Sequence, residues 1–214
     1  MRMLAFKLGQ MQTNCYIVCD DNGLAAVIDP GFSAAMIAEV IAKEEMTLRF
    51  ILLTHGHFDH IGGIKGLKEL FPNAKVAIGE LDAPMLETAA DSPFARRFAP
   101  SVSDYKDLSA DILLVDGDTI KLGDLTLEVI HTPGHTLGGV CYKVEDKLFT
   151  GDTLFRGEVG RCDLEGGNYN AILQSVKRLA ELPGDYAVYP GHDAASTLQH
   201  EREHNKYIKI AYEQ

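Results

Sequence analysis

Phe50-Ile51-Leu52-Leu53 runs directly into Thr54-His55-Gly56-His57-Phe58-Asp59-His60, an apolar segment that empties into the pattern H-x-H-x-D-H. The four apolar residues read as a buried strand, and the polar cluster behind them as its exit loop. Three imidazoles and a carboxylate this close repel one another or go unsatisfied when half buried, whereas a divalent cation turns the same groups into a coordinated site. The stretch therefore points to a metal held at the end of a sheet.

Working outward, Met3 to Leu8, Cys15 to Val18 and Leu24 to Ile28 read as short strands split by polar turns, the last ending in Asp29-Pro30-Gly31. Ser33 is placed to cap an amphipathic helix in which Ile37, Val40 and Ile41 share a face, so a strand, helix, strand crossover leads to Leu53. Ile61, Ile64, Leu67 and Leu70 mark a further helix, and Lys75 to Ile78 resumes a strand. Residues 80–110, with Pro84, Pro93 and Pro100, suit short helices and loops over a cleft. From Ile112 the pattern turns strand-rich through Thr150, with Asp-Gly and Gly-Asp turns. A helix around Ile172 to Leu179 follows behind Asn168 or Asn170, then a strand at Tyr186 to Tyr189, then a terminal helix from Ser196 to Tyr212 opened by a Ser-x-x-Gln capping box. Two half-chains of mixed strands and helices predict an α/β fold, a four-layer αββα sandwich of two mixed β-sheets flanked by helices, with the site between the sheet edges and residues 1–214 as one domain.

The bulk properties narrow the partners. A formal net charge of -11, with its basic residues scattered, excludes a nucleic-acid stripe. Met1 to Val18 carries no continuous apolar core of a signal peptide and no segment approaches membrane-spanning length, so a cytoplasmic location without membrane contact is expected. Cys15, Cys19, Cys141 and Cys162 form no C-x-x-C pair and are expected as free thiols.

Three later segments repeat the strand-then-ligand pattern: Val129-Ile130-His131-Thr132-Pro133-Gly134-His135, Leu148-Phe149-Thr150-Gly151-Asp152, and Val188-Tyr189-Pro190-Gly191-His192. Each sets a His or Asp on a tight glycine turn that lets backbone approach an ion. H-x-H-x-D-H, T-P-G-H-T, G-D-T-L-F and P-G-H, in that order, resemble the metallo-β-lactamase superfamily across nearly the whole chain. The resemblance implies one metal held by His55, His57 and His135, a second by Asp59, His60 and His192, and Asp152 as the bridge. Because Asp152 is present and no Cys replaces a ligand, the set is similar to the binuclear hydrolase branch and argues against a β-lactam substrate. Gly151-Asp152-Thr153-Leu154-Phe155, Gly160-Arg161-Cys162-Asp163-Leu164 and Glu201-x-x-His204-Asn205 resemble the short glyoxalase II-like thioester hydrolases. Only the segment 193–214 follows His192, which leaves out the helical part by which longer members recognise glutathione, so that specificity is not expected to carry over.

The expected chemistry is hydrolysis of a small-molecule substrate, a hydroxyacyl thioester, by a hydroxide shared between two divalent metal ions, Zn first with Fe or Mn as alternatives. Asp59 is expected to orient the nucleophile as well as bind metal. A thiolate leaves without a dedicated acid, a thiol pKa being about 8.5. The alternative is a mononuclear-iron oxidoreductase resembling persulfide dioxygenases, which shares the G-R-x-D segment. A regulatory protein without turnover ranks low, since no ligand is missing, and nuclease members carry arms that this acidic chain lacks.

Other residues carry blander readings. His131 is read as a core or supporting histidine and His200-Glu201-Arg202-Glu203-His204 as a surface helix despite its H-E-x-x-H spelling. Arg161 is expected in a buried-turn salt bridge with Asp163, and Arg96 and Arg97 on a solvated face, with a substrate carboxylate as their functional alternative. Asp29 is equally a carboxylate that orients a ligand histidine and a plain Asp-Pro-Gly turn.

Overall fold

Alternation along the strands divides their side chains between separate cores, and that division builds the layers. The computed structural model describes residues 1–213. Strands β1 (Arg2–Leu8), β2 (Thr13–Cys19), β3 (Leu24–Ile28), β4 (Thr47–Leu52), β5 (Lys75–Gly79) and β6 (Ile112–Leu114) lie side by side in chain order as one six-stranded sheet. Its first three strands are antiparallel neighbours and β3 to β6 are parallel. On β2, Cys15, Ile17 and Cys19 enter an outer core, while Tyr16 and Val18 face the other way into an inner one. Burial on both faces explains why these strands read as continuous apolar runs rather than as half-polar alternation.

A second six-stranded sheet has the order β14-β13-β10-β9-β8-β7, formed by β7 (Thr119–Leu122), β8 (Leu125–His131), β9 (Val140–Val144), β10 (Lys147–Gly151), β13 (Ala187–Pro190) and β14 (Ser196–Thr197). A small hairpin, β11 (Leu154–Phe155) and β12 (Glu158–Val159), stands apart from it. Leu127, Val129, Val140, Tyr142 and Phe149 from this sheet meet Tyr16, Val18, Ala26, Ile28 and Leu52 from the first. On the outer faces, α1 (Ala34–Lys43), α2 (Phe58–Ile61), α3 (Ile64–Leu70), α4 (Ala83–Thr88) and α5 (Pro93–Phe98) contribute to one core. The helices α6 (Tyr169–Ala180), α7 (Leu198–His204) and α8 (Lys206–Glu213) cover the other sheet. The three cores are the three interfaces of an αββα sandwich, as expected from the sequence.

Strand direction then gathers the loops. β3 and β4 are parallel, β10 and β13 are parallel, and β8 runs with β10 because each is antiparallel to β9. The segments after β3, β4, β8, β10 and β13 thus emerge at one edge of the sandwich. Hydrogen bonds join the two sheets there: Tyr142 Oη donates to the Leu53 carbonyl at 2.7 Å, and the Val140 amide to the Thr54 carbonyl at 2.8 Å.

Local details differ from the sequence reading at four places. Ser33 adopts a left-handed conformation (φ 61°) and its side chain caps nothing, although its carbonyl still accepts from the Ile37 amide. The helix expected from Ile61 begins at Phe58 and divides at Gly62-Gly63, where the Gly63 amide donates to the Pro30 carbonyl of the Asp-Pro-Gly turn. The terminal helix starts at Leu198 and breaks at Asn205; Ser196 is drawn into β14 by pairing with Val188, so Thr197, not Ser196, accepts from the His200 amide as the cap. Residues 80–110 form the short helices expected, but they are a packed part of the helical layer, with Leu86, Ala89, Ala95, Tyr105 and Leu108 in the outer core. Asn168, rather than Asn170, caps α6 by accepting from the Ala171 amide. Cys15, Cys19 and Cys141 are buried free thiols and Cys162 is a half-buried one. Among the described residues no helix is long and apolar enough to cross a membrane.

Candidate metal centre

Seven side chains converge where the loops meet. His55, His57 and His135 offer ligand atoms mutually within 4.8 Å, as do Asp59, His60 and His192, and as do His55, His60 and Asp152. Asp152 links the two halves: Oδ1 lies 3.5 Å from His60 Nε2, while Oδ2 lies 3.4 Å from His135 Nε2 and 3.7 Å from His192 Nε2. The seven residues singled out in the sequence are thus brought together, although they come from four separate loops. The approach is tight at Gly191, where a Cβ would stand 2.3 Å from Asp152 Oδ1 and 2.7 Å from His60 Cε1.

Four histidines are oriented by a bond to the ring nitrogen facing away from the cluster. His135 Nδ1 lies 2.8 Å from the Arg161 carbonyl and His192 Nδ1 lies 3.1 Å from the Met11 carbonyl, so both rings carry their proton on Nδ1 and turn a lone pair on Nε2 inward. His60 Nδ1 meets Asp29 Oδ2 at 3.0 Å. Thr54 Oγ1 donates its one proton to Asp29 Oδ2 at 2.7 Å and therefore accepts from His55 Nδ1 at 3.1 Å. Asp29, which also accepts from the Thr54 amide at 2.8 Å, orients one ligand histidine directly and another through Thr54. Of its two readings from sequence, the orienting one is correct.

The donor set fits divalent cations. His55 Nε2 and Asp152 Oδ1 are buried without a hydrogen-bond partner, a costly condition for a polar atom. His57 Nδ1 and His135 Nε2 approach to 2.8 Å and the Nε2 atoms of His60 and His192 to 3.3 Å, contacts in which two ring nitrogens point at one place. A cation between such nitrogens satisfies them together.

The two halves differ electrostatically. Burial, followed by the charges of neighbouring imidazoles, pushes His55 well below its ordinary value and lowers His57 to about 4. Burial acts in the same direction on His60, but the carboxylates of Asp152, Asp59 and Asp29 outweigh it and raise the ring to about 10. Burial is likewise overcome at His192, raised by its bond to Asp59, and at Asp59, whose carboxyl is held well below the usual range chiefly by His60 and His192. In the first half burial disfavours the charged forms of His55 and His57; in the second, carboxylates interleave with imidazoles and favour the charged form of His60.

The remaining sequence readings sort by position. His131 stands half-exposed at the end of β8 with Nε2 on the Leu137 carbonyl; it is neither core nor part of the cluster. Arg161 and Asp163 do form a two-pronged salt bridge, at 2.7 and 2.8 Å, but in solvent rather than in a buried turn. What Arg161 gives the site is its carbonyl. Arg96 pairs with Asp91 on the surface and Arg97 lies over the Phe98 ring. His200 and His204 stack on the exposed face of α7, while Glu201 is buried and accepts from the Gly157 amide, Ser196 and Asn205. Two supports went unnoticed in the sequence. Asn14 and Tyr16 on β2 both donate to the Pro190 carbonyl, at 2.9 and 2.7 Å, and hold the His192 turn. The buried Asp82 ties two ligand loops together. Nothing local in Thr13-Asn14-Cys15-Tyr16 or Glu80-Leu81-Asp82 signals these partners.

Comparison with known proteins places this arrangement. The sequence profile described as the Metallo-beta-lactamase superfamily matches residues 8–192. Hydroxyacylglutathione hydrolase GloC of Haemophilus influenzae is 33% identical over 201 residues, covering 92% of this chain and 93% of that protein. The crystal structure of the BLEG-1 B3 metallo-beta-lactamase superposes with a TM-score of 0.88 at 33% identity, covering 97% of this chain and 99% of the other. The structure of TTHA1623 in a di-iron-bound form superposes with a TM-score of 0.85 at 34% identity, covering 96% and 100% respectively.

Proposed function

Because the chain belongs to the metallo-beta-lactamase superfamily, we propose that it is a binuclear metallohydrolase that cleaves hydroxyacyl thioesters. The observation that carries this reading is the paired cluster, in which Asp152 spans two triads and the buried His55 Nε2 and Asp152 Oδ1 await a partner. His55, His57 and His135 would hold one ion, Asp59, His60 and His192 the other, and Asp152 would join them. Two divalent ions supply an acidified water as nucleophile and a Lewis acid for the carbonyl. Zinc suits imidazole and carboxylate ligands, and iron does so equally, as the di-iron form of TTHA1623 illustrates.

The chain's own groups supply orientation. Asp59 is held in its ionised form beside His60 and His192 and accepts from Thr13 Oγ1 at 3.3 Å, so its carboxylate would be able to orient the nucleophilic water as well as bind metal. His57, Asp152 and His192 are less buried than His55 and His60, so a substrate carbonyl would reach the site from their side. The tight protein shell around Asp29 and Thr54 excludes water from behind the ligands. A thiolate departs without protonation whereas an amine does not, which favours a thioester over an amide. The name of the Haemophilus influenzae relative supports a hydroxyacyl thioester as the substrate class.

The test is a panel on metal-loaded protein: lactoylglutathione, thioesters of smaller thiols, a chromogenic β-lactam, and glutathione persulfide with oxygen uptake recorded. Thioester turnover above the other arms is expected. Faster β-lactam opening, or oxygen uptake with one iron per chain, would replace this reading with a lactamase or a dioxygenase.

The charge asymmetry gives a second expectation. At pH 7 His60, raised to about 10, carries a proton that an ion must displace, whereas His55 and His57 are already neutral. Loading the Asp59-His60-His192 half should therefore release the proton of His60, which His55 and His57 do not carry, and that contribution should shrink as pH approaches 10. Calorimetric zinc titrations in buffers of different ionisation enthalpy measure it; equal release at both steps contradicts the assignment of His60.

A further inference from the structure

Asp82 follows β5, far in sequence from the ligand motifs, yet its carboxylate is fully buried and its side-chain hydrogen bonds go to the loops around Gly56 and Thr136. Oδ2 accepts from the Gly56 amide at 3.2 Å and from Thr136 Oγ1 at 2.7 Å, and Oδ1 accepts from the Gly138 amide at 2.6 Å. Gly56 lies between His55 and His57, and Thr136 directly follows His135. One carboxylate thus fastens the loop carrying two imidazoles of the first triad to the loop carrying the third. The attachment is close on both sides: a Cβ on Gly138 would fall 2.3 Å from the Asp82 amide nitrogen, and one on Gly56 would meet the Asp82 carbonyl at 3.3 Å and Met85 at 2.6 Å.

None of the salt bridges among the described residues involves Asp82. A buried carboxylate without a cation is expensive when its only role is to bond amides and a hydroxyl, which neutral Asn or Gln serves in part. The groups it fixes belong to a triad of imidazoles that carries no carboxylate besides the shared Asp152. By contrast, Asp29 serves the other half through His60 and reaches the first triad only through Thr54.

We propose that Asp82 is the positioning residue of the first metal site, holding the His55-Gly56-His57 loop and the His135-Thr136 loop at the spacing that three imidazoles need around one ion. The proposal rests on the binuclear reading for the identity of that ion. It predicts a selective effect: loosening Asp82 weakens the tri-histidine half and leaves the Asp59-His60-His192 half, which is anchored by Asp29, Asn14 and Tyr16, nearly unchanged.

The experiment separates the halves with two backgrounds, His192→Ala, which cripples the second site, and His135→Ala, which cripples the first. Metal-free protein of each is titrated with Co(II), reading the visible ligand-field bands and affinity by chelator competition, with and without Asp82→Asn. Circular dichroism and the melting temperature of the metal-free proteins are recorded alongside. In the His192→Ala background Asp82→Asn should weaken Co(II) about 10–100-fold and alter the bands, the scale of a lost supporting contact. In the His135→Ala background the change should stay below about threefold, because no Asp82 bond reaches the Asp152 or His192 loops and Asp59 and His60 have their own supports in Thr13 and Asp29. Equal weakening in both backgrounds, or unchanged affinity and bands in the first, overturns the proposal and leaves Asp82 with a general structural role. Should Asp82→Asn fail to fold, Thr136→Val removes a single arm of the clamp, and its effect in the same two backgrounds decides the matter by the same selectivity. Unmutated protein serves as the reference for the underlying reading. Binding of one Co(II) per chain there refutes the binuclear site, while Asp82 is still judged by the affinity in the His192→Ala background. No Co(II) binding at all refutes both.

Discussion

Asp152→Ala should reduce bound metal from two ions per chain to one and lower thioester hydrolysis by about three orders of magnitude, on the order of 4 kcal/mol in the transition state. The effect is large because Asp152 alone has one oxygen facing His60 and the other facing both His135 and His192. Each triad retains three ligands without it, so a single ion can still bind. What is lost is the anion between two cations, whose mutual repulsion in a buried setting then goes unscreened. Asp152→Asn keeps the shape and one acceptor oxygen but removes the charge, and should fall nearer to Ala than to the unmutated chain. Elemental analysis beside kcat on the same preparations measures both consequences; two ions retained in Asp152→Ala would mean that the carboxylate does not join them.

Asp29→Ala is expected to be the most destabilising single change near the site. It removes the acceptor for the Thr54 amide, the Thr54 hydroxyl and His60 Nδ1 together, all of them buried. Leaving a buried charged pair half-made costs about 3–5 kcal/mol, which in a chain of this size lowers the melting temperature by roughly 6–20 °C. Metal affinity should fall about 10–100-fold, because His60 loses its direct support and His55 the support relayed by Thr54. Asp29→Asn keeps one acceptor for the Thr54 amide and should recover part of the melting temperature but little of the affinity at His60, since an amide nitrogen cannot accept from the ring. Thermal unfolding and zinc competition assays separate the two losses; a normal affinity in Asp29→Ala would show that Asp29 only closes a turn.

The candidate ligands were legible in the sequence because each lies within a few residues of the strand that delivers it. His55, His57, Asp59 and His60 follow β4, Asp152 follows β10 and His192 follows β13, so local order along the chain carries the pattern. The layers were legible for a similar reason: period-two alternation on strands buried on both faces yields the unbroken apolar runs of β2 to β5. The groups that orient the ligands were not legible. Asp82 acts on Thr136 and Gly138, Asn14 and Tyr16 act on Pro190, and the helpers of His135 and His192 are backbone carbonyls that belong to no residue type. The capping expectation at Ser196 failed because tertiary pairing overrode local preference, β14 drawing Ser196 into the sheet; Ser33 stands in a left-handed conformation with its side chain capping nothing.

By itself the sequence determined the residue types, the order of the ligand loops and the two-sided burial of the strands, since these follow from side-chain chemistry and from the periods of strand and helix. Only the tertiary structure decided how closely the imidazoles approach one another, which ring nitrogen each of the oriented ones turns inward, and which loops Asp29 and Asp82 tie together. Those choices depend on hydrogen bonds between segments far apart in the chain, whose partners meet only after two sheets have packed and their strand ends have come to one edge.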